Sequence, residues 1–195
     1  KQEWKKAHYD AAYTRAYRIE VLQNKHGVLI MEHVAVVADT VQKILDVKMT
    51  WKINEDGKIE AVIEAIKDKE FPDLPRFGIR MFLNKKMDEI TYFGMGPQES
   101  YRDKHQASCH GLFRSKVAQM HEDYIRPQEN GSHYDCDYVE LTNGQCGIAA
   151  VSKNPFSFNA SVYTQEELER VSHNYELKES DSIVFCMDYA LNGIG

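Results

Sequence analysis

The sequence has no apolar run long enough to cross a membrane and no excess of positive charge. No stretch approaches the roughly 18 consecutive apolar residues of a transmembrane helix, and no secretory signal peptide is recognisable. The 195 residues carry a net charge of −6, which disfavours nucleic acid and anionic membranes because both repel a negative surface. We therefore expect one domain with its own core, with neither nucleic acid nor a membrane as its partner.

Cysteine is scarce and unpaired. Four cysteines are too few and too irregular for a disulfide scaffold in a chain of this size, and none forms a C-x-x-C pair. A zinc site needs closely spaced Cys/His pairs, whereas the neighbours Cys109 and His110 would point to opposite faces of a strand. We expect reduced thiols, a cytoplasmic location and no metal or other cofactor bound by this chain. The cysteines are Cys109, Cys136, Cys146 and Cys186.

A nucleotide-binding loop is also missing, although a glycine-bracketed stretch follows a strand-like run. Residues 94–101 are GMGPQESY, but a dinucleotide loop needs G-x-G-x-x-G, whose backbone N–H groups face the pyrophosphate. Pro97 removes one of these donors, and Glu99 stands where the third glycine should be and would repel phosphate. The alternative is a tight turn, with Gly94 and Gly96 at positive φ and Pro97 setting the exit direction.

Apolar residues recur with a period of two along most of the chain, which is typical of strands. The alternating runs 45–53 and 58–66 flank Asp56-Gly57 and predict a β-hairpin. Residues 134–141 and 147–152 flank Thr142-Asn143-Gly144 and predict a second one. Two further strands are predicted at 77–83 and 182–190.

One short helix is predicted from Gln165 to Val171. Thr164 can accept a hydrogen bond from the N–H of Glu167 while the Glu167 side chain reaches back, which is a capping box. Leu168 and Val171 would then face the sheet. The fold class predicted from these patterns is all-β, an antiparallel sandwich of stacked sheets with one short helix.

Few residues of this predicted fold are candidates for metal binding or catalysis. If residues 133–138 form a regular strand, His133, Asp135 and Asp137 share one face and could ligate a cation. Alternation alone favours a solvated face instead, with Tyr134, Cys136 and Tyr138 pointing inward. His105 and Cys109 could form a dyad, but no third group orients them.

A series of short motifs is more informative. It runs LPRFGIRMFL, TYFGMGPQESYRDKHQAS, YIRPQENGSHYD, FSFNASVYTQEELERVSHNYELK and MDYALNGIG. In order and spacing this series resembles the C-terminal region of the lactose-hydrolysing β-galactosidases of glycoside hydrolase family 2. The resemblance extends from about Trp4 to Gly195. It implies a truncated part, residues 1–195, of the last or small-chain domain, an antiparallel supersandwich related to galactose mutarotase.

The resemblance also implies where the chemistry lies. The parent enzyme would be a retaining hydrolase of terminal β-D-galactosides, with its catalytic glutamates, Mg and Na in a barrel domain. This chain would hold no catalytic residue and would be inactive alone, while supporting and completing the active site. Its partners would be the barrel domain of the same enzyme, or a large subunit, and the galactoside substrate of an oligomeric parent.

Two loops carry the candidate site residues, PQES and PQENG. In the first, Glu99 can accept N–H bonds, Tyr101 can pack beneath the loop, and Asp103 has Arg102 as a neighbouring charge partner. We expect bracing of the loops rather than sugar contact. The alternative is a stand-alone carbohydrate-binding or mutarotase-like module, for which His105 and Glu129 would have to converge. The loop or cleft candidates are Glu99, Tyr101, Arg102, Asp103, His105, Gln128, Glu129 and Asn130.

Overall fold

The computed structural model describes residues 2–191 and 193, except the side chain of Asn24. The final Gly-Ile-Gly string of the resemblance therefore lies outside the described residues, apart from Gly193. The chain divides into an N-terminal unit that ends at Asp73 and a C-terminal unit that begins at Leu74. Within the described part, no helix is long and apolar enough to span a bilayer.

The N-terminal unit is an antiparallel meander. It contains α1 (Gln2–Lys6), a 3-10 turn (Tyr9–Ala11), β1 (Tyr13–Asn24), β2 (Gly27–Val37), β3 (Lys43–Asn54) and β4 (Ile59–Lys67). The strands pair in sequence order. The first predicted hairpin is confirmed as β3–β4, because Trp51 pairs with Ala61 and the turn contains Gly57 at φ 86°.

The C-terminal unit is a six-stranded antiparallel sheet. Its elements are β5 (Arg76–Asn84), β6 (Glu89–Gly96), β7 (Cys109–Lys116), β8 (Ser132–Thr142), β9 (Gly147–Ser161), α2 (Gln165–Arg170) and β10 (Ser182–Leu191), with 3-10 turns at Val117–Met120 and Asn174–Glu176. The strand order is β5-β10-β9-β8-β6-β7. The predicted second hairpin is β8–β9, and the strands predicted at 77–83 and 182–190 are β5 and β10. The all-β, antiparallel fold class is confirmed.

Aromatic rings fill the centre of this sheet's core. Tyr92, Phe158 and Phe185 are at most 1% exposed. The ring of His133 lies among them, 4.5 Å from the Tyr92 centroid and 5.2 Å from that of Phe158. Burial lowers the pKa of His133 to about 4, and its Nδ1–H donates to the carbonyl of Met95 at 3.0 Å. A neutral histidine is therefore part of the core.

The predicted solvated face at His133 is wrong because β8 is bulged. Its pairing with β9 shifts register on both sides of Cys136, and Asp135 has φ 54°. A bulge inserts an extra residue and breaks the alternation of side chains. His133 and Cys136, three residues apart, therefore both point inward, at 2% and 0% exposure.

The helix prediction is correct in its start and partly wrong in its cap. Thr164 Oγ1 accepts from the N–H of Glu167 at 3.1 Å, and Leu168 is buried. The Glu167 carboxylate does not reach back, because it binds Arg170 and the N–H of Lys178. The described residues contain two short α-helices rather than one.

Candidate functional site

The two loops that the sequence singled out contact each other in the C-terminal unit. We call this contact the loop junction, formed by residues 97–105 after β6 and residues 121–132 before and at the start of β8. Ser100 N–H donates to the carbonyl of Ser132 at 2.7 Å, and Tyr101 Oη donates to Glu129 Oε2 at 3.1 Å. A backbone bond and a side-chain bond thus join two loops that are distant in sequence.

Glu99 is the centre of the loop junction. Its side chain is only 6% exposed. Its carboxylate accepts from Gly131 N–H at 2.9 Å, from Lys104 Nζ at 2.6 Å and from the hydroxyl of Tyr124. Burial alone would raise the pKa of Glu99, but these three donors outweigh it and hold the pKa below its ordinary value. Glu99 is therefore an ionised brace whose oxygens are already occupied.

Glu129 lies in a different environment. It is 8% exposed, and its Oε2 accepts one bond from Tyr101. Its Oε1 has no hydrogen-bond partner among the described residues. Burial raises the pKa of Glu129 to about 6, against the opposing charge of Arg76 and the Tyr101 bond. The nearby carboxylates of Asp188 and Glu99 raise it further. Glu129 is thus the least satisfied of the buried carboxylates.

A buried ion pair lies beside Glu129 and joins β5 to β10. Arg76 Nε donates to Asp188 Oδ1 at 2.6 Å and Arg76 Nη2 to Oδ2 at 2.7 Å. The Asp188 side chain is 1% exposed and that of Arg76 is 18% exposed. Bidentate pairs of this kind fix both distance and orientation.

The PQENG loop is held by its amide side chain and by a required glycine. Asn130 is 5% exposed, accepts from Glu122 N–H at 2.9 Å and donates to the carbonyl of Gln128 at 2.9 Å. Gly131 has φ 73°, and a Cβ there would overlap the carbonyl oxygen of Met120. Only glycine meets both conditions without strain.

The prediction that Gly94 and Gly96 adopt positive φ is wrong. Neither is among the positive-φ glycines, and both belong to strand β6. They are required for close approach: a Cβ at Gly94 would lie 2.9 Å from the Cα of Cys136, and one at Gly96 would lie 2.9 Å from the Phe113 ring. The Gly96–Pro97 peptide bond is cis.

Three predicted residues lie at the margin of the loop junction. Arg102 and Asp103 are exposed, and no ion pair joins them within the described part of the chain. His105 Nδ1–H donates to the backbone carbonyl of Tyr101 at 2.9 Å, whereas Glu129 binds the hydroxyl of Tyr101. His105 therefore contacts the backbone of Tyr101 and Glu129 the far end of its side chain, so the two do not converge as an epimerase pair would require.

A pocket of about 350 Å³ opens beside the loop junction. Lys104, His105, Tyr124 and Glu122 contribute to its wall. Lys104 Nζ and Tyr124 Oη already share the Glu99 carboxylate. Most polar groups of the loop junction bind one another, so its geometry suits rigid positioning of loops rather than acid–base chemistry.

Several residues of this site were missed by sequence analysis. Lys104 and Tyr124 bind Glu99 from positions 5 and 25 residues away, which no local pattern indicates. Asp188 offered a signal, since it is a lone charged residue within the otherwise apolar run 182–190. A carboxylate inside such a strand needs a partner, but the sequence does not say which cation supplies it.

The fold and the loop junction define an all-β module whose polar loops are braced by buried carboxylates. A family model described as beta galactosidase small chain matches residues 1–195. A β-galactosidase of Actinobacillus pleuropneumoniae is 45% identical over 195 residues, which are all of this chain and 19% of that protein. The β-galactosidase of Staphylococcus xylosus is 33% identical over 195 residues, again the whole chain and 20% of that protein.

The chain belongs to the β-galactosidase small-chain family. This confirms the resemblance of the motif series to the small-chain region of β-galactosidases. The chain spans about a fifth of the length of these curated relatives. A further relative, the β-galactosidase of Vibrio cholerae, is 32% identical over 169 residues, or 84% of this chain and 16% of that protein.

Proposed function

We propose that this chain is the small-chain part of a larger glycoside hydrolase family 2 β-galactosidase, which hydrolyses terminal β-D-galactosides such as lactose in the cytoplasm. One observation carries the proposal: the whole chain matches the family, yet spans about a fifth of relatives that are named β-galactosidase. The chain's role is to support and complete an active site whose catalytic carboxylates lie in a barrel domain. The partner is that barrel domain or a large subunit within an oligomeric enzyme, and Mg and Na belong to the barrel.

The side chains of the loop junction support a bracing role. Retaining hydrolysis needs one carboxyl group to be protonated and another to be free to attack the sugar, about 5–5.5 Å apart. Glu99 is ionised and bound by three donors, and Glu129 is 8% exposed. Glu99 lines the pocket beside the loop junction, but its oxygens are already bonded. Glu129 is not among the residues that line this pocket. The loop junction is therefore suited to hold loops in place.

Activity measurements on the parent enzyme test the proposal. We expect no hydrolysis of a nitrophenyl galactoside by this chain alone at any pH, and loss of activity when the region is deleted from the full-length enzyme. The matched comparison is Glu99→Gln against Glu122→Gln in that enzyme, since Glu122 is exposed. The first should lower activity and the second should not. Turnover by the isolated chain that is lost in Glu99→Gln would overturn the proposal.

Binding measurements separate the proposal from a stand-alone sugar-binding module. Bracing predicts that galactose binds this chain no more tightly than the millimolar range. Titration of galactose into the isotope-labelled chain checks this by chemical shifts. Saturable shifts confined to Glu99, Arg102 and Glu129 would contradict the bracing role.

A further inference from the structure

The buried charges at the loop junction do not balance. Three buried carboxylates, Glu99, Glu129 and Asp188, lie near one partly buried cation, Arg76, and near Lys104, whose side chain is 61% exposed. Glu99 has Lys104 at 2.6 Å, and Asp188 has Arg76 at 2.6 Å in a bidentate pair. Glu129 is 8% exposed, yet no cation of the described part of the chain makes a hydrogen bond to it.

The two loop glutamates differ in the number of donors they meet. Glu99 accepts from three groups. Within residues 2–191 and 193, Glu129 accepts only from Tyr101, and its Oε1 has no partner. An ionised carboxylate removed from water is unfavourable unless donors replace the lost hydration. The ionised form of Glu129 therefore weakens the structure that buries it.

We propose that Glu129 is a proton-operated clamp: binding of one proton strengthens the loop junction, and loss of that proton weakens it. The neutral carboxyl relieves repulsion from Asp188 and Glu99. It can still accept the hydroxyl hydrogen of Tyr101, so the bond between the loops persists. Arg76 is the cation that acts on the charged form, but both of its bonded nitrogens are directed at Asp188.

The pH range of the clamp follows from the direction of the shift. The pKa of Glu129 is raised from 4.5 to about 6, so the folded state binds the proton more tightly than the unfolded state. The added stability is complete below pH 4.5 and is lost as pH rises through about 6. A shift of this size corresponds to about a 30-fold change in the equilibrium for opening the loop junction.

The inference is tested by hydrogen exchange on the full protein that carries this chain, between pH 5 and pH 8. Peptides covering Ser100 and Gly131 report the loop junction, because their N–H groups make its bonds. A peptide from β3 around the buried Val47, in the N-terminal unit, serves as the reference for the ordinary pH dependence of exchange. Because the full effect is reached only below pH 4.5, we expect protection of the loop-junction peptides, relative to this reference, to fall about eightfold from pH 5 to pH 8.

Single substitutions identify which group causes the pH dependence of protection. Glu129→Gln should remove most of this pH dependence, while Glu122→Gln, in an exposed residue of the same segment, should retain it. An unchanged profile in Glu129→Gln would overturn the proposal. If that variant does not fold, the wild-type profile decides: relative protection that stays constant from pH 5 to pH 8 rules the clamp out. Neither outcome depends on galactoside hydrolysis, so the clamp and the proposed function can fail separately.

Discussion

Replacing Gly131 with alanine tests how much the loop junction depends on one backbone position. Gly131 has φ 73° and no room for a Cβ, which would overlap the carbonyl oxygen of Met120. Gly144, in the β8–β9 turn, provides the matched control, since it has φ 82° and nothing within 4 Å of the added Cβ. Both substitutions force alanine into the left-handed region, but only Gly131→Ala also creates a clash.

The expected magnitudes follow from these environments. Left-handed backbone costs a non-glycine residue about 1–2 kcal/mol, which is the full effect expected for Gly144→Ala. In Gly131→Ala, overpacking adds about 1–3 kcal/mol. Displacing the N–H of Gly131 from the buried Glu99 carboxylate adds about 1.5–3 kcal/mol. We therefore expect Gly131→Ala to lower the free energy of unfolding by roughly 3 kcal/mol more than Gly144→Ala.

Urea-dependent hydrogen exchange of peptides from β8 and β9 is the appropriate assay. Tryptophan fluorescence would report the wrong part, because both tryptophans, Trp4 and Trp51, lie in the N-terminal unit. Far-ultraviolet circular dichroism would combine both units. A difference between the two variants below about 1 kcal/mol, the size of an ordinary surface effect, would refute the argument.

Two further predictions concern buried charge in the C-terminal unit. Arg76→Met leaves Asp188 buried without its cation and should cost about 3–5 kcal/mol. Arg80→Met loses only exposed contacts, with Glu166, Gln165 and the Phe82 ring, and should cost about 1 kcal/mol. Equal urea midpoints for the two variants would contradict this. Because the pKa of His133 is lowered to about 4, its neutral form stabilises the fold above pH 6.5 and this stability is lost as pH falls toward 4. The advantage of wild type over His133→Gln should shrink by about 3 kcal/mol from pH 7 to pH 4, and a constant difference in unfolding free energy would disprove it.

Local structure was predictable from the sequence wherever neighbouring residues determine it. The turn at Asp56-Gly57 fixes the β3–β4 hairpin, and the Thr164 cap begins α2 at Gln165. Both signals involve only a few neighbouring residues, so the turn and the cap can be recognised without knowing the fold. The motif series identified the family for the same reason, since ordered strings are a property of the sequence alone.

Tertiary structure decided the features that depend on distant partners. The placement of β10 between β5 and β9 brings Asp188 to Arg76, 112 residues away. The bulge at Asp135 turned His133 into the core against the predicted alternation.

The loop junction shows the same division between local and long-range information. The loop sequences PQES and PQENG led us to expect that Glu99 and Glu129 brace their loops. It could not show that Glu99 meets three donors while Glu129 leaves one oxygen unpaired. Hydrogen-bond satisfaction depends on which groups the folded chain brings together, and the alternation of apolar and polar residues carries no information about those partners.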